Sequence, residues 1–206
     1  MRSITPPGSS ALRRTAVAVA SLNLGYFAVE FSVARQIGSV SLFADSIDFL
    51  EDTALSSLIV LALWLPPRHR ARLGALLAGL LLVPGAATLW TAWGNFTQPT
   101  ARAPAPLPLS LAALGALAVN LGCALLLARV RHVAGSLSRA AFLSARNDVW
   151  ANLAILAAAG VTLAWHSAWP DLVVGMAILL LSLGAAGEVY RRARSEGIAF
   201  TGRPRT

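Results

Sequence analysis

Long apolar stretches separated by short polar connections dominate the chain. Six stretches are each close to the roughly 20 residues that a helix needs to span a bilayer. They cover residues 13–34, 40–64, 73–93, 107–129, 141–165 and 171–190. A spanning segment must satisfy its own backbone hydrogen bonds, so this pattern predicts helices and not strands. We therefore expect an all-α, polytopic membrane protein with six transmembrane helices in a single domain over residues 13–190.

The composition excludes a water-soluble globule. Only 13% of the residues are charged, whereas soluble domains carry roughly 25%. The net charge is +8, but no arginine-rich face interleaved with aromatic residues is present, so we expect membrane lipid and not nucleic acid as a partner. Cys123, the only cysteine, excludes a disulfide framework and a multi-thiolate metal site.

The positions of the arginines predict the orientation in the membrane. All 17 basic residues are arginines, and fourteen of them fall on one side of the six segments. Arg35 and Arg102 fall on the other side, and Arg146 lies within the fifth segment. Arginine is enriched in cytoplasmic loops, so both termini are expected in the cytoplasm. Residues 1–12 then form a cytoplasmic N-terminal segment, and residues 191–206 form a short basic cytoplasmic tail.

Six of the nine acidic residues lie in three of the apolar segments. They are Glu30 in the first segment, Asp45, Asp48, Glu51 and Asp52 in the second, and Asp148 in the fifth. A charge at the centre of a bilayer costs about 2.5–3.5 kcal/mol. Several of them approach the whole stability of a domain, roughly 5–15 kcal/mol. Acids in such positions mark a functional site by default, and something must offset their cost.

Helical periodicity groups these acids into a stripe on the second segment. At about 100° per residue, Asp48 and Asp52 both lie within about 60° of Asp45. Asp48 and Asp52 are four residues apart and can share one ion. Glu51 points about 100° away from Asp52, and we interpret it as a separate feature, a helix contact or a vestibule residue.

The fifth segment carries a second polar stripe. Ser144, Asp148 and Asn152 are spaced four residues apart and share one face. At 1.5 Å per residue, Asp48 and Asp52 lie about 12–18 Å from the outer face of a roughly 30 Å core, and Asp148 lies about 12 Å from the cytoplasmic face. We therefore expect the two stripes to meet near the midplane.

Three carboxylates that converge in a low dielectric cannot all stay ionised without a cation. Protons or a metal ion must neutralise them, and oxygen ligands suit a divalent cation. Exchange between these two neutralised states is what a metal/proton antiporter requires. Asn23 and Glu30 share one face of the first segment, and with Asp45 they are expected to line the pathway or to bond neighbouring helices. A protonated, purely structural cluster is the alternative.

Four stretches of the sequence resemble the cation diffusion facilitator family. Residues 38–52, GSVSLFADSIDFLED, resemble the family's second-helix signature, and residues 146–152, RNDVWAN, resemble its fifth-helix signature. Residues 22–30 and the Trp-Pro-Asp of residues 169–171 also fit. The resemblance extends over nearly the whole chain.

This resemblance implies a four-ligand metal site between the second and fifth helices. It carries Asp48, Asp52 and Asp148 over as metal ligands. The family usually has His or Asp four residues before the fifth-helix Asp, and here that position is Ser144. Ser144, Asn152 or water would complete the coordination sphere, and the usual preference for zinc is in question.

We expect the protein to be a transporter and not an enzyme. It is expected to export a divalent metal of the Zn, Co, Cd, Mn or Fe class from the cytoplasm in exchange for protons. No cofactor is expected beyond the transported ion, and a homodimer is compatible with the sequence. The exclusive use of arginine suggests a bacterial cytoplasmic membrane. Two alternatives are a proton-coupled exporter of a small organic cation and a non-transporting subunit or scaffold. The non-transporting alternative is suggested by Ser144 and by a tail that is too short to replace the soluble domain of many family members.

Two further expectations concern positions outside the stripes. Asp171, at the external end of the sixth segment, is expected to be solvated, so that Asp171→Asn would behave nearly as the unchanged protein. Gly115 and Gly122, in the fourth segment, are expected to permit close helix packing.

Overall fold

The computed structural model describes residues 9–62, 90, 93, 94, 97, 103–130 and 136–181. Every regular element among them is an α-helix. The helices are α1 (Ser9–Ile37), α2 (Val40–Ala62), α3 (Pro106–Val130), α4 (Ser136–Trp165) and α5 (Trp169–Leu181). They correspond to the first, second, fourth and fifth predicted segments and to the start of the sixth. Most of the third segment, the rest of the sixth, residues 1–8 and the tail 191–206 lie outside the described residues, so the count of six stays a prediction.

Three of the described helices are long and apolar enough to cross a bilayer, over Ser10–Ile37, Pro106–Val130 and Ala141–Trp165. α2 has a similar length, 23 residues, but carries four acidic side chains. Large apolar side chains are exposed along the outer faces of the bundle, such as Leu24 and Leu111. Buried positions, in contrast, include Asn, Asp and Glu. A protein surrounded by lipid requires such an apolar exterior, whereas the buried polar side chains cost free energy there.

A two-residue joint connects α1 to α2. Gly38 has a φ of 69°, a left-handed conformation that glycine adopts without a Cβ penalty. The N–H of Ser39 donates to the carbonyl of Ala34 over 3.1 Å, which closes α1 with a Schellman motif. The Ser39 hydroxyl accepts from the N–H of Leu42 over 3.2 Å and so caps the start of α2. The joint therefore fixes α1 and α2 as an antiparallel hairpin.

The four longer helices form a ring in which α1 packs against α2 and α3, and α4 packs against the same two helices. Two apolar clusters fill the interior. One lies where α1 begins and comprises Leu12, Ala16, Val19, Ile59, Cys123, Ala124, Leu127, Val130, Ala141 and Ala145. The other lies where α1 ends and comprises Ala34, Leu42, Ala44, Leu109, Ala112, Ala113, Ile155, Ala159, Ile178 and Leu179.

A layer of buried polar side chains lies between the two apolar clusters. It takes residues from all four helices: Asn23, Glu30, Asp45, Asp52, Asn120 and Asn152. On every helix of the ring, the residues of one cluster precede these polar positions and those of the other cluster follow them. The polar layer is therefore closed by apolar packing on both sides.

Gly115 permits a close approach between α3 and α1. A Cβ at this position would overlap the hydroxyl of Tyr26, which donates to the carbonyl of Ala112 over 2.6 Å. The expectation of close packing is confirmed for Gly115. At Gly122 an added Cβ would meet none of the described residues within 4 Å, so close packing at this position is not seen among them.

Candidate functional site

The polar stripes of α2 and α4 face each other in an antiparallel register. Asp52 forms side-chain hydrogen bonds with Ser144 and Asp148. Towards the start of α2, the Asn152 amide donates to Asp45 Oδ1 over 3.5 Å. Each turn towards the start of α2 thus corresponds to a turn towards the end of α4. The sequence prediction that the two stripes meet is in this respect confirmed.

The carboxyl groups of Asp52 and Asp148 form the centre of this contact. Two carboxyl groups form a hydrogen bond only when one of them is protonated, so this contact is a place where a proton can be held. The Ser144 hydroxyl is a second donor to Asp52, which is only 4% exposed. Asp48 is half-buried and interacts electrostatically with Asp148. The arrangement therefore places three acidic side chains next to each other between α2 and α4.

Asn152 lies beside Asp45, one turn along α4 from Asp148. Its amide nitrogen donates to the main-chain oxygen of Asp148 over 2.8 Å and to Asp45 Oδ1. Glu30 of α1 interacts with Asp45 from the other side. The structure therefore joins Glu30, Asp45 and Asn152 into a cluster of their own, which the sequence had divided between pathway residues and ligands.

The other predicted positions are distributed around these two groups. Asn23 is fully buried, and its Oδ1 accepts from the Cys123 thiol of α3 over 3.4 Å, so it bonds a neighbouring helix. Glu51 is half-buried. Arg146 and Trp150 of α4 are exposed.

The described residues contain no group of three or more His, Cys, Asp or Glu side chains placed to hold a metal ion. Asp48, Asp52 and Asp148 are neighbours, but they do not yet surround one point. Metal coordination by these three acids, with Ser144 or Asn152, therefore stays a prediction. Binding would require the carboxyl groups to turn towards a common ion.

Asp171 corrects the sequence prediction, because it is only 2% exposed. Its carboxylate accepts four hydrogen bonds from the start of α2: from the Ser39 hydroxyl over 2.6 Å, the Val40 N–H over 2.7 Å, the Ser41 N–H over 3.3 Å, and the Ser41 hydroxyl. All four partners are donors, so Asp171 acts as an ionised acceptor at a helix N-terminus. The expectation that Asp171 is solvated is wrong, and the tolerance of Asp171→Asn that was inferred from solvation loses its basis.

Gly175 makes this contact possible. It lies one turn after Asp171, and a Cβ there would lie 2.7 Å from the Ser41 nitrogen. We call the bonds between Asp171 and residues 39–41 the Asp171 clamp. The sequence analysis did not predict this clamp, although the sequence contains two signals for it. One is an aspartate in the first turn of a helix. The other is the Ser-Val-Ser at the start of α2, because serine favours helix N-termini.

Comparison with known proteins gives one family match. The sequence model described as the cation efflux transmembrane domain matches residues 16–196 of the chain. This range includes every described helix except the first turns of α1. No curated protein matches the chain.

Proposed function

The chain belongs to the cation efflux family, a family of cation transporters, and on this premise we propose that it exports a divalent metal cation from the cytoplasm in exchange for protons. The observation that carries the proposal is the polar layer between α2 and α4, which is closed by apolar clusters on both sides. A multi-pass membrane protein has no structural need for such a layer, because buried charge is expensive in lipid.

Asp48, Asp52 and Asp148 are the proposed ligands. A divalent ion bound to them displaces the proton that Asp52 and Asp148 share, and this competition couples the ion to the proton. Ser144 is the better candidate for the fourth position because its hydroxyl already contacts Asp52. Asn152 is turned towards Asp45 by its two donor bonds, which leaves water as the other candidate.

The apolar clusters supply the two gates that alternating access requires. In the arrangement seen here, both clusters are packed and the polar layer is closed. We propose that transport opens one cluster at a time, so that the ion meets only one side of the membrane. The cluster around Leu127 would face the cytoplasm, and the cluster around Leu109 would face outside, in a bacterial inner membrane with both termini cytoplasmic.

The positions of the tryptophans do not favour the alternative function, export of a small organic cation. An organic cation would need an aromatic-lined cavity beside the acids, but the five tryptophans that the structure describes are exposed: Trp90, Trp93, Trp150, Trp165 and Trp169. Of these, Trp165 and Trp169 line a groove whose lining contains no acidic residue. The metals of the Zn, Co, Cd, Mn and Fe class are the proposed substrates, and a homodimer is compatible with the apolar exterior.

Transport by purified protein in lipid vesicles tests the proposal. Vesicles with an imposed pH gradient and an internal metal dye should take up metal against the proton flow. Asp48→Asn and Asp148→Asn should reduce this uptake at least tenfold, whereas Glu51→Gln, a similar change on a half-buried acid of α2, should retain it. Because metal and proton compete, the apparent metal affinity should weaken as the pH falls. Full transport by Asp148→Asn, or flux that ignores the gradient, would leave a structural cluster as the better interpretation.

Cysteine labelling tests the proposed orientation. In a Cys123→Ala background, Thr97→Cys should react with an impermeant thiol reagent added to intact cells. Arg70→Cys and Ser136→Cys should react only after the membrane is opened. Labelling of either of these two positions from outside would reverse the assignment of the cytoplasmic side.

A further inference from the structure

A series of hydrogen bonds joins three helices beside the proposed ligands, towards the joint at Gly38. Glu30 of α1 and Asp45 of α2 form a side-chain hydrogen bond. The Asn152 amide of α4 donates to Asp45 Oδ1 over 3.5 Å and to the main-chain oxygen of Asp148 over 2.8 Å. The three side chains are each 0% exposed. We call these bonds the Glu30 network, which ends on the backbone of a proposed metal ligand.

One donor hydrogen satisfies the contact between the two carboxyl groups of the network. Neither oxygen of Glu30 has a partner when both acids are ionised, and a single proton on either acid supplies the bond. The Glu30 network is therefore complete without an ion. An amide side chain would supply the same donor without any titrating proton.

Aromatic contacts fix α1 against α2 on both sides of Glu30. The ring centroids of Tyr26 and Phe49 lie 5.1 Å apart, and those of Phe31 and Phe43 lie 5.2 Å apart. Tyr26 precedes Glu30 on α1 and Phe31 follows it. The two helices therefore form one unit, and the Glu30 network extends this unit to α4.

The register of α2 against α4 decides which side chains meet at the proposed metal site. Asp52 contacts Ser144 when Asn152 contacts Asp45. Apolar packing is non-directional, whereas a hydrogen bond requires a defined distance and angle, so the network sets the register more sharply than the apolar clusters do. A slide of α2 that brought Asp48 beside Asn152 would move Asp52 about 4.5 Å along the helix axis, away from Ser144.

We propose that Glu30 is a positioning residue for the proposed metal site. Through Asp45 and Asn152 it fixes the register of α2 against α4 and so keeps Asp52 beside Asp148. The inference rests on the proposed function, because the ligands that the network positions are those of that proposal. Buried polar side chains are costly in lipid, and fixing the register between helices is the best-attested use of such groups.

Transport by variants that keep or break the network tests the inference. Glu30→Gln and Glu30→Gln/Asp45→Asn keep a donor at this contact, and both should retain the apparent affinity for Mn²⁺ or Zn²⁺ in the vesicle assay. Glu30→Leu has a similar size but no donor, and it should weaken that affinity about 10- to 100-fold, as partners of metal ligands typically do when they are removed. Asn152→Leu interrupts the network at α4 and should have the same effect. Glu51→Leu is the matched control on an acid outside the network and should retain the affinity.

A distance measurement reads the register without any metal. Leu61→Cys near the end of α2 and Leu163→Cys near the end of α4 are exposed positions and would carry spin labels in a Cys123→Ala background. Because α2 and α4 are antiparallel, the labels lie at opposite ends of the bundle, and a slide of α2 changes their separation. Double electron–electron resonance should give the same distance with and without Glu30→Gln. Glu30→Leu should shift it by up to about 4.5 Å or broaden its distribution.

The results separate a positioning role from a direct one. Loss of transport in folded Glu30→Gln would overturn the inference, because the acid itself would then be required. Glu30→Leu must change both the distance and the affinity, and if either stays the same the inference is wrong. Size-exclusion profiles and circular dichroism identify a variant that does not fold, and Asn152→Leu then replaces Glu30→Leu in both measurements. An unchanged protein that takes up no metal would overturn the proposed function, whereas the distance measurement would still decide whether Glu30 sets the register.

Discussion

Replacing Asp171 by Asn should destabilise the protein by about 2–4 kcal/mol. The carboxylate oxygen Oδ2 accepts from the Val40 N–H, and Oδ1 accepts the other three bonds. In the Asp171→Asn variant the amide oxygen can keep those three bonds, but the new NH₂ group then faces the Val40 N–H. One hydrogen bond is therefore lost, and two donors oppose each other.

The magnitude follows from these four bonds. A hydrogen bond to a charged acceptor contributes about 1.5–3 kcal/mol and a neutral one about 0.5–1.5 kcal/mol. One charged bond is lost, three become neutral, and the favourable charge at the helix N-terminus, about 0.3–2 kcal/mol, disappears. Because neighbouring bonds are not additive, about 2–4 kcal/mol is expected instead of the full sum. That change lowers the ratio of folded to unfolded protein roughly 30- to 700-fold.

Unfolding in mixed micelles of increasing SDS content, followed by circular dichroism, measures this change. Glu51→Gln is the control, because it also replaces a carboxylate with an amide but on a half-buried acid outside the clamp. A double-mutant cycle with Ser41→Ala should give a coupling energy above about 1 kcal/mol, since the two side chains are in contact. If Asp171→Asn unfolds together with the control, the clamp does not stabilise the fold and the reasoning is refuted.

Three further predictions use other parts of the structure. Gly115→Ala should destabilise the folded protein by about 1–3 kcal/mol, because the added Cβ overlaps Tyr26. Gly122→Ala should stabilise the folded protein by about 0.4–1 kcal/mol, because alanine reduces the conformational entropy of the unfolded chain. Equal effects of the two variants in the same unfolding assay would contradict the packing argument. His166 has a φ of 49°, so His166→Gly should raise the midpoint of unfolding slightly and His166→Val should lower it. Ser144→His adds a nitrogen ligand and should increase zinc transport relative to manganese; unchanged selectivity would mean that this side chain does not contact the ion.

Periodicity predicted the parts of the site that lie along one helix. The spacing of Asp48 and Asp52, and that of Ser144 and Asp148, placed each pair on one face, and the two faces do meet. The partner of Asn152 was not predictable in this way, because a small shift in antiparallel register decides whether it faces Asp45 or Asp48.

The misjudged positions depend on contacts between distant parts of the chain. Asp171 accepts hydrogen bonds from main-chain N–H groups about 130 residues away. Because almost every residue has a main-chain N–H, the sequence does not show which one will bind a distant carboxylate. Gly115 and Gly122 look alike in the sequence, since both are glycines in an apolar helix. Only the position of Tyr26 distinguishes them.

The Asp171 clamp also decides where α2 can swing. With its first turn bound to α5, α2 has a pivot at Val40, and the rest of the helix acts as a lever. Asp52 lies about 18 Å from the pivot and the far end lies about 33 Å from it, so a swing of about 10° moves them by about 3 Å and 6 Å. Ile59, in the cluster at the far end, would leave its packing while the clamped end stays closed. The two ends are therefore mechanically unequal: one opens by rotation alone, and the other opens only when four hydrogen bonds break.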